Sequence, residues 1–330
     1  MIEDLKRVLK DQRILIISPK FFGYENRIIE RLEQFTSKVV WLDDRPSNSI
    51  LTKLIMRYFP FLYTKYISRY YKKNINDVFT QILVISAESL SYKNICYLKE
   101  KTKANKIILY MYDSLKNKKR LLPIFKYFDK CLTFDPDDAI KYNFIFRPLF
   151  FTTGFNNKNN ISSKYDVSFI GTGHSDRVMI IEKIKLQCEK LGLLYFFYLF
   201  LQSPFIYIFY KIFKRKVFKG VRMQDFHYKP LEYNDYMYIS EFSKVIIDIE
   251  HPNQRGLTMR TIEMLGKEKK LVTTNNNIKK YDFYNDTNIY IIDRNNPIID
   301  EKFFENKYKR LPEQIYYKYS INGWLEDIFL

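Results

Sequence analysis

Short apolar runs separated by helix-length stretches constrain the fold of this chain more than any other feature. Residues 13–18, 38–43, 82–86, 106–111 and 130–134 are rich in Ile, Leu, Val and aromatic side chains. The runs are continuous rather than alternating, which is how a strand buried on both faces reads. Helical stretches lie between them, for example through Leu32 and over 92–101. Strands alternating with helices imply a parallel sheet covered on both sides. The rhythm breaks at 151–164, a polar, Asn-rich segment, and resumes at 166–170, 245–249, 271–274 and 289–292. The expected organisation is therefore α/β, with Rossmann-like domains at 1–150 and 165–312, a linker at 151–164 and a helical tail at 313–330. Ligands of open parallel sheets gather beyond the carboxyl ends of the strands. The chemistry is accordingly expected on loops where two such domains face each other.

The segment 244–275 reads as strand, glycine-bearing loop, helix, strand. Gly256 lies in the loop, and Thr258 and Arg260 fall in the first helical turn. First-turn N–H groups have no partner within a helix, so they suit a phosphate. Arg260 can add a paired charge-assisted contact or bridge to Glu263 on the surface. Thr258 serves equally as a plain cap. Glu263, three residues beyond Arg260, shares its face and can accept from sugar hydroxyls. One helix end can thus hold both the phosphate and the ribose of a nucleotide. A second glycine-bearing turn follows 166–170, where Gly171 and Gly173 permit a tight turn or a close backbone approach. Arg177, at the next helix start, is a candidate for the diphosphate. His174 in that turn and His251 on the loop before Glu263 are further candidates.

Composition narrows the class of partner. The formal net charge of +18 favours anionic ligands and surfaces. No zinc-finger spacing or aromatic RNA-recognition signature accompanies it, so nucleic acid is not an expected partner. Three isolated cysteines, Cys96, Cys131 and Cys188, suit a reducing cytosol. The first residues lack the basic-then-apolar order of a signal peptide. Residues 191–210 are almost wholly apolar and are followed by a Lys/Arg cluster, but Gln202, Ser203 and Pro204 interrupt them. The segment reads as a broken hairpin lying in a membrane interface, or as a helix pair packed in the core. Residues 50–73 interleave apolar and basic side chains in the same manner. Together the two segments point to an anionic membrane surface, with the chain peripheral on the inner face of the cell membrane.

The segments Asp166-Val-Ser-Phe-Ile-Gly-Thr-Gly-His-Ser-Asp-Arg177, Gln254-Arg-Gly-Leu-Thr-Met-Arg-Thr-Ile-Glu263 and Lys270-Leu-Val-Thr-Thr-Asn275 resemble bacterial GT-B glycosyltransferases. The resemblance is to the capsular and exopolysaccharide type related to spore-maturation glycosyltransferases. Tyr112-Asp-Ser114, Phe134-Asp-Pro-Asp-Asp138 and Arg147-Pro-Leu149 look similar as well. The resemblance implies two facing Rossmann-like domains and a tail helix that can cross back to the first. It also implies a nucleotide-sugar donor on the second domain and a lipid-linked or glycan acceptor on the first. Glu263 matches the helix-borne glutamate that holds the donor ribose. Eight residues earlier, where related retaining enzymes often carry another glutamate, stands Arg255, so a two-glutamate mechanism does not carry over. No cofactor is expected and no metal, because basic side chains and helix ends offset the diphosphate charge. An inverting transfer needs a base near the acceptor hydroxyl. Asp113 and Glu88, beyond the fourth and third runs, are candidates, as is His174; Asp113 and Glu88 serve equally as helix caps. Phe22, Gly23 and Tyr24 can shape the acceptor pocket. A sugar-nucleotide epimerase and a catalytically silent membrane-surface scaffold remain open alternatives.

Overall fold

The computed structural model describes every residue except 1, 22, 46, 48, 50, 51, 53, 54, 56, 57, 153–162, 214, 216, 217, 219, 253 and 254. Most of the segment read as a linker therefore lies outside the described residues. The chain divides into two compact units, Met1–Leu149 with Ile321–Leu330, and Phe150–Ser320.

The N-terminal unit runs α1 (Ile2–Leu9), β1 (Arg13–Ser18), α2 (Tyr24–Leu32), β2 (Lys38–Asp43), α3 (Pro60–Asn74), β3 (Gln81–Ile85), α4 (Tyr92–Thr102), β4 (Lys106–Met111), β5 (Lys130–Thr133), α5 (Pro136–Tyr142) and β6 (Ile145–Phe146). All strand pairs are parallel, in the order β2-β1-β3-β4-β5-β6. From β1 the chain adds β2 on one side and β3 on the other, so the sheet has its switch point between β1 and β3. Leu15, Ile17, Ile82, Val84, Ile107 and Leu109 meet Ile67 and Tyr71 of α3 and Ile95 and Leu98 of α4 in one core. Local signals set the ends of the helices. Asp135 caps α5 by accepting from the N–H groups of Asp137 and Asp138, Pro136 occupies the first turn, and left-handed Asn143 ends the helix.

The second unit runs β7 (Tyr165–Thr172), α6 (Arg177–Leu191), β8 (Tyr195–Phe200), α7 (Pro204–Phe213), α8 (Tyr233–Glu241), β9 (Ser243–Asp248), α9 (Met259–Gly266), β10 (Lys270–Thr273), β11 (Ile289–Ile291), α10 (Glu301–Glu305) and α11 (Glu313–Lys318). Its strands are also parallel, in the order β11-β10-β9-β7-β8, with the switch point between β7 and β9. The tail is not one helix. It breaks at Tyr319–Ser320, and α12 (Ile321–Phe329) belongs to the N-terminal unit, with Trp324 against Tyr110 at a ring distance of 5.0 Å.

Residues 191–216 do not form a pair of helices. Gly192 ends α6 in the left-handed conformation, and the next aromatic run pairs with β7 as strand β8. Aromatic side chains favour a pleated, half-buried surface, and half-buried is what most of β8 is. Only the second arm, α7, is a helix. No helix among the described residues is long and apolar enough to cross a membrane.

Candidate functional site

In the second unit two arginines join β7 to β9 at the switch point. Arg260 donates from Nη1 to Asp248 Oδ1 at 3.1 Å and from Nη2 to the Ile170 carbonyl. Arg177 donates from Nε to the Ile249 carbonyl at 2.6 Å and approaches the Thr172 carbonyl at 3.5 Å. Burial, and then the nearby Arg260 charge, lower Arg177 to about 10. Asp248 is the hub of the corner. It lies buried at the end of β9, and its Oδ2 accepts from the hydroxyls of Thr258 at 2.5 Å and Thr261 at 2.6 Å. Thr258 is the cap of α9 and accepts from the Thr261 N–H. Beside this hub, Arg294 donates to Asp176 and to Glu250 Oε1 at 2.6 Å, and the Thr274 hydroxyl donates to Glu250 Oε2 at 2.5 Å. His174 stands 3.3 Å from Arg177 Nη1, and its ring is 5.9 Å from that of His251.

The structure thus gathers Gly171, Gly173, His174, Arg177, His251, Thr258 and Arg260 around one strand-end corner, with Gly256 buried two residues before the cap Thr258, and gives two of the candidates protein partners. Arg260 binds a protein acceptor with each of its terminal nitrogens and so staples the two strands. Glu263 is 0% exposed, and its Oε1 accepts from the N–H and hydroxyl of Thr152 at 3.3 and 3.1 Å. In this arrangement the Glu263 carboxylate is closed to solvent. The two glycines have packing reasons of their own. A Cβ at Gly171 would stand 2.7 Å from the Phe169 ring, and one at Gly173 would stand 2.5 Å from the Phe226 ring. Asp248, Glu250, Asp176 and Arg294 did not stand out in the sequence. Two carboxylates within three residues at a strand end, Asp248 and Glu250, were the available signal.

In the N-terminal unit the loops beyond β2, β3 and β4 meet near that sheet's switch point. Lys118 binds Glu88 Oε1 and lies 3.5 Å from Asp113 Oδ2, and Arg45 lies 3.4 Å from Glu88 Oε2. Burial raises Glu88, but Lys118, Arg45 and Arg120 outweigh it and hold the carboxyl below its ordinary value. A carboxylate held low is a weak base, so the geometry makes Glu88 a counter-ion. Asp113 keeps its side chain half exposed. Phe21 stacks on Tyr112 at 4.8 Å, Gly23 takes φ 81° before α2, and Tyr24 is buried. Phe22 lies outside the described residues.

Asp44 fixes the Glu88 loop. Fully buried, it accepts from the N–H groups of Glu88 at 2.7 Å and Ser89 at 3.2 Å. Ser86 and Ala87, just before, are both left-handed, with φ 74° and 55°, a conformation non-glycine residues hold only when their surroundings impose it. Burial raises Asp44 from 3.8 to about 7. A raised folded-state value means that Asp44 contributes stability fully below about pH 4 and loses it as pH rises through about 7. The stability of the wild type should therefore fall relative to Asp44→Asn across that window in urea titrations at several pH values. Parallel profiles would refute it.

No protein-family model matches the chain, nor does any curated protein sequence. Solved structures do match in fold. Anabaena HepE in complex with UDP-glucose is 10% identical, with a TM-score of 0.57 over 96% of this chain and 98% of that one. HepE in complex with UDP and glucose is 11% identical, with a TM-score of 0.56 over the same shares. Sucrose-phosphate synthase from Thermosynechococcus elongatus is 9% identical, with a TM-score of 0.53 over 96% of this chain and 95% of that one. Two parallel α/β sheets of this strand order, matched along nearly the whole length of these chains, give the protein the GT-B glycosyltransferase fold.

Proposed function

We propose that the chain is a glycosyltransferase that moves a sugar, a hexose in the first instance, from a nucleotide diphosphate to a lipid-linked glycan during surface polysaccharide assembly. The observation that carries this reading is the strand-end corner of the second unit. There Arg177, His174 and His251 cluster at the β7/β9 switch point, where open α/β sheets take their ligands. The likeness in fold to a protein solved with UDP-glucose supports a nucleotide-sugar donor. In this reading the donor diphosphate lies against the turn that contains Gly171 and Gly173, with His174, Arg177 and His251 offsetting the charge of the leaving group. Gly256 and the cap at Thr258 shape the start of α9, and Glu263 meets the ribose once Thr152 releases it. Asp113, half exposed and next to the Tyr112 ring on which Phe21 stacks, is the base candidate on the acceptor side, with Gly23 and Tyr24 shaping the acceptor pocket. No metal cofactor is invoked. The acceptor's lipid places the enzyme at the anionic inner face of the cell membrane.

Calorimetry with UDP-glucose and other nucleotide sugars, followed by a transfer assay with lipid-linked acceptors, tests the reading. At least one donor should bind, and Arg177→Ala should weaken it about tenfold or more, which corresponds to about 1.4 kcal/mol. Folded protein that binds no nucleotide sugar would overturn the proposal.

A further inference from the structure

Helix α7 is built with its apolar side outward. Its ten residues place Phe205, Ile208, Phe209, Ile212 and Phe213 at the i, i+3, i+4, i+7 and i+8 positions of one face. That face faces outward: Phe205 and Phe213 are 80% and 70% exposed, and the other three are about half exposed. The inward face holds Ile206, Tyr207 and Tyr210, which pack on the core of the unit. The buried hydroxyl on that face is satisfied internally. The Tyr207 hydroxyl donates to the Val221 carbonyl at 3.0 Å and accepts from Lys211 Nζ at 2.8 Å. A surface helix of a soluble domain has the reverse arrangement, with the apolar stripe in and the polar groups out. Five large apolar side chains on one exposed face mark an interaction surface.

Charge identifies what covers it. Residues 190–224 contain seven Lys or Arg and no Asp or Glu. An apolar face set in a wholly cationic, carboxylate-free stretch complements a surface that is apolar inside and anionic at its rim, which describes a bilayer of anionic lipid. Length decides the mode of contact. At about 1.5 Å per residue α7 is about 15 Å long, half of the roughly 30 Å hydrocarbon core. It can lie in the interface but cannot cross.

We infer that α7 is the element by which the second unit docks on an anionic membrane, with Phe205, Phe209 and Phe213 entering the acyl region and the surrounding cations meeting lipid phosphates. This inference rests on the membrane-surface part of the proposed function and names the structure responsible for it. Its test is sedimentation of the full chain with vesicles of phosphatidylcholine alone or mixed with phosphatidylglycerol. The wild type should bind the mixed vesicles at least about tenfold better than the neutral ones, with binding reduced by salt. The triple variant Phe205→Ser/Phe209→Ser/Phe213→Ser should lose that binding about tenfold or more while retaining its nucleotide-sugar affinity and its elution volume in gel filtration. Wild-type-like vesicle binding by the triple variant would overturn the role of α7 and leave the membrane reading standing. A wild type that binds neither vesicle would overturn both. A shift from dimer to monomer in the triple variant would assign the face to a second copy of the chain and overturn the inference. Transfer to a water-soluble acceptor is measured separately, so none of these failures is mistaken for failure of the transferase reading.

Discussion

Asp248→Ala should destabilise the second unit by about 3–5 kcal/mol, the cost of removing one partner from a buried ion pair. Asp248 is 1% exposed and receives one guanidinium N–H and two hydroxyls. Its loss strands Arg260 between the Ile170 carbonyl and the neighbouring Arg177 charge. It also frees the cap of α9, because Thr258 uses its hydroxyl both to accept from Thr261 and to donate to Asp248. Urea unfolding followed in the second unit reads the stability, and calorimetry with a nucleotide sugar reads the site. Asp248→Asn separates charge from geometry. The amide still accepts from Arg260, and threonine hydroxyls can turn to accept from it, so this variant should recover part of the stability lost by the alanine variant. If the alanine variant unfolds at the wild-type urea concentration, the corner is not organised around Asp248.

Nine of the strands were legible in the sequence because buried strands leave short runs rich in apolar side chains. Strand β8 escapes that signal because an aromatic, half-buried edge strand has the same composition as an interfacial helix; Gly192 and the pairing with β7 decide between them. At the site, helical spacing did place Arg260 and Glu263 one turn apart near the start of α9. It could not show what each would meet. Asp248 arrives from twelve residues away and Thr152 from 111, and both contacts exist only in the folded unit. The same holds for Arg294, whose partners Asp176 and Glu250 lie 118 and 44 residues distant. Spacing identifies the residues that share a face, while long-range partners determine which of them remain available to a ligand.

The apolar pattern of residues 321–330 identifies a helix but not the unit it completes. Trp324→Ala should destabilise the N-terminal unit by about 3–5 kcal/mol, the usual cost of emptying a large core site. Trp324 is fully buried and meets the Tyr110 ring edge-on at 5.0 Å. Around it Arg31 donates to Asn322 at 2.6 Å, and Arg147, itself buried, pairs with Asp327 at 2.8 Å. Helix α12 therefore closes a sheet whose other elements ended at Leu149. Amide hydrogen exchange resolves the effect by location. A loss of about 3 kcal/mol speeds globally protected amides by about 150-fold, and the increase should fall on β1, β3 and β4 while β7 and β9 stay near their wild-type rates. Equal acceleration in both sheets would show that the two units unfold together, and acceleration in β7 and β9 alone would place α12 with the wrong unit.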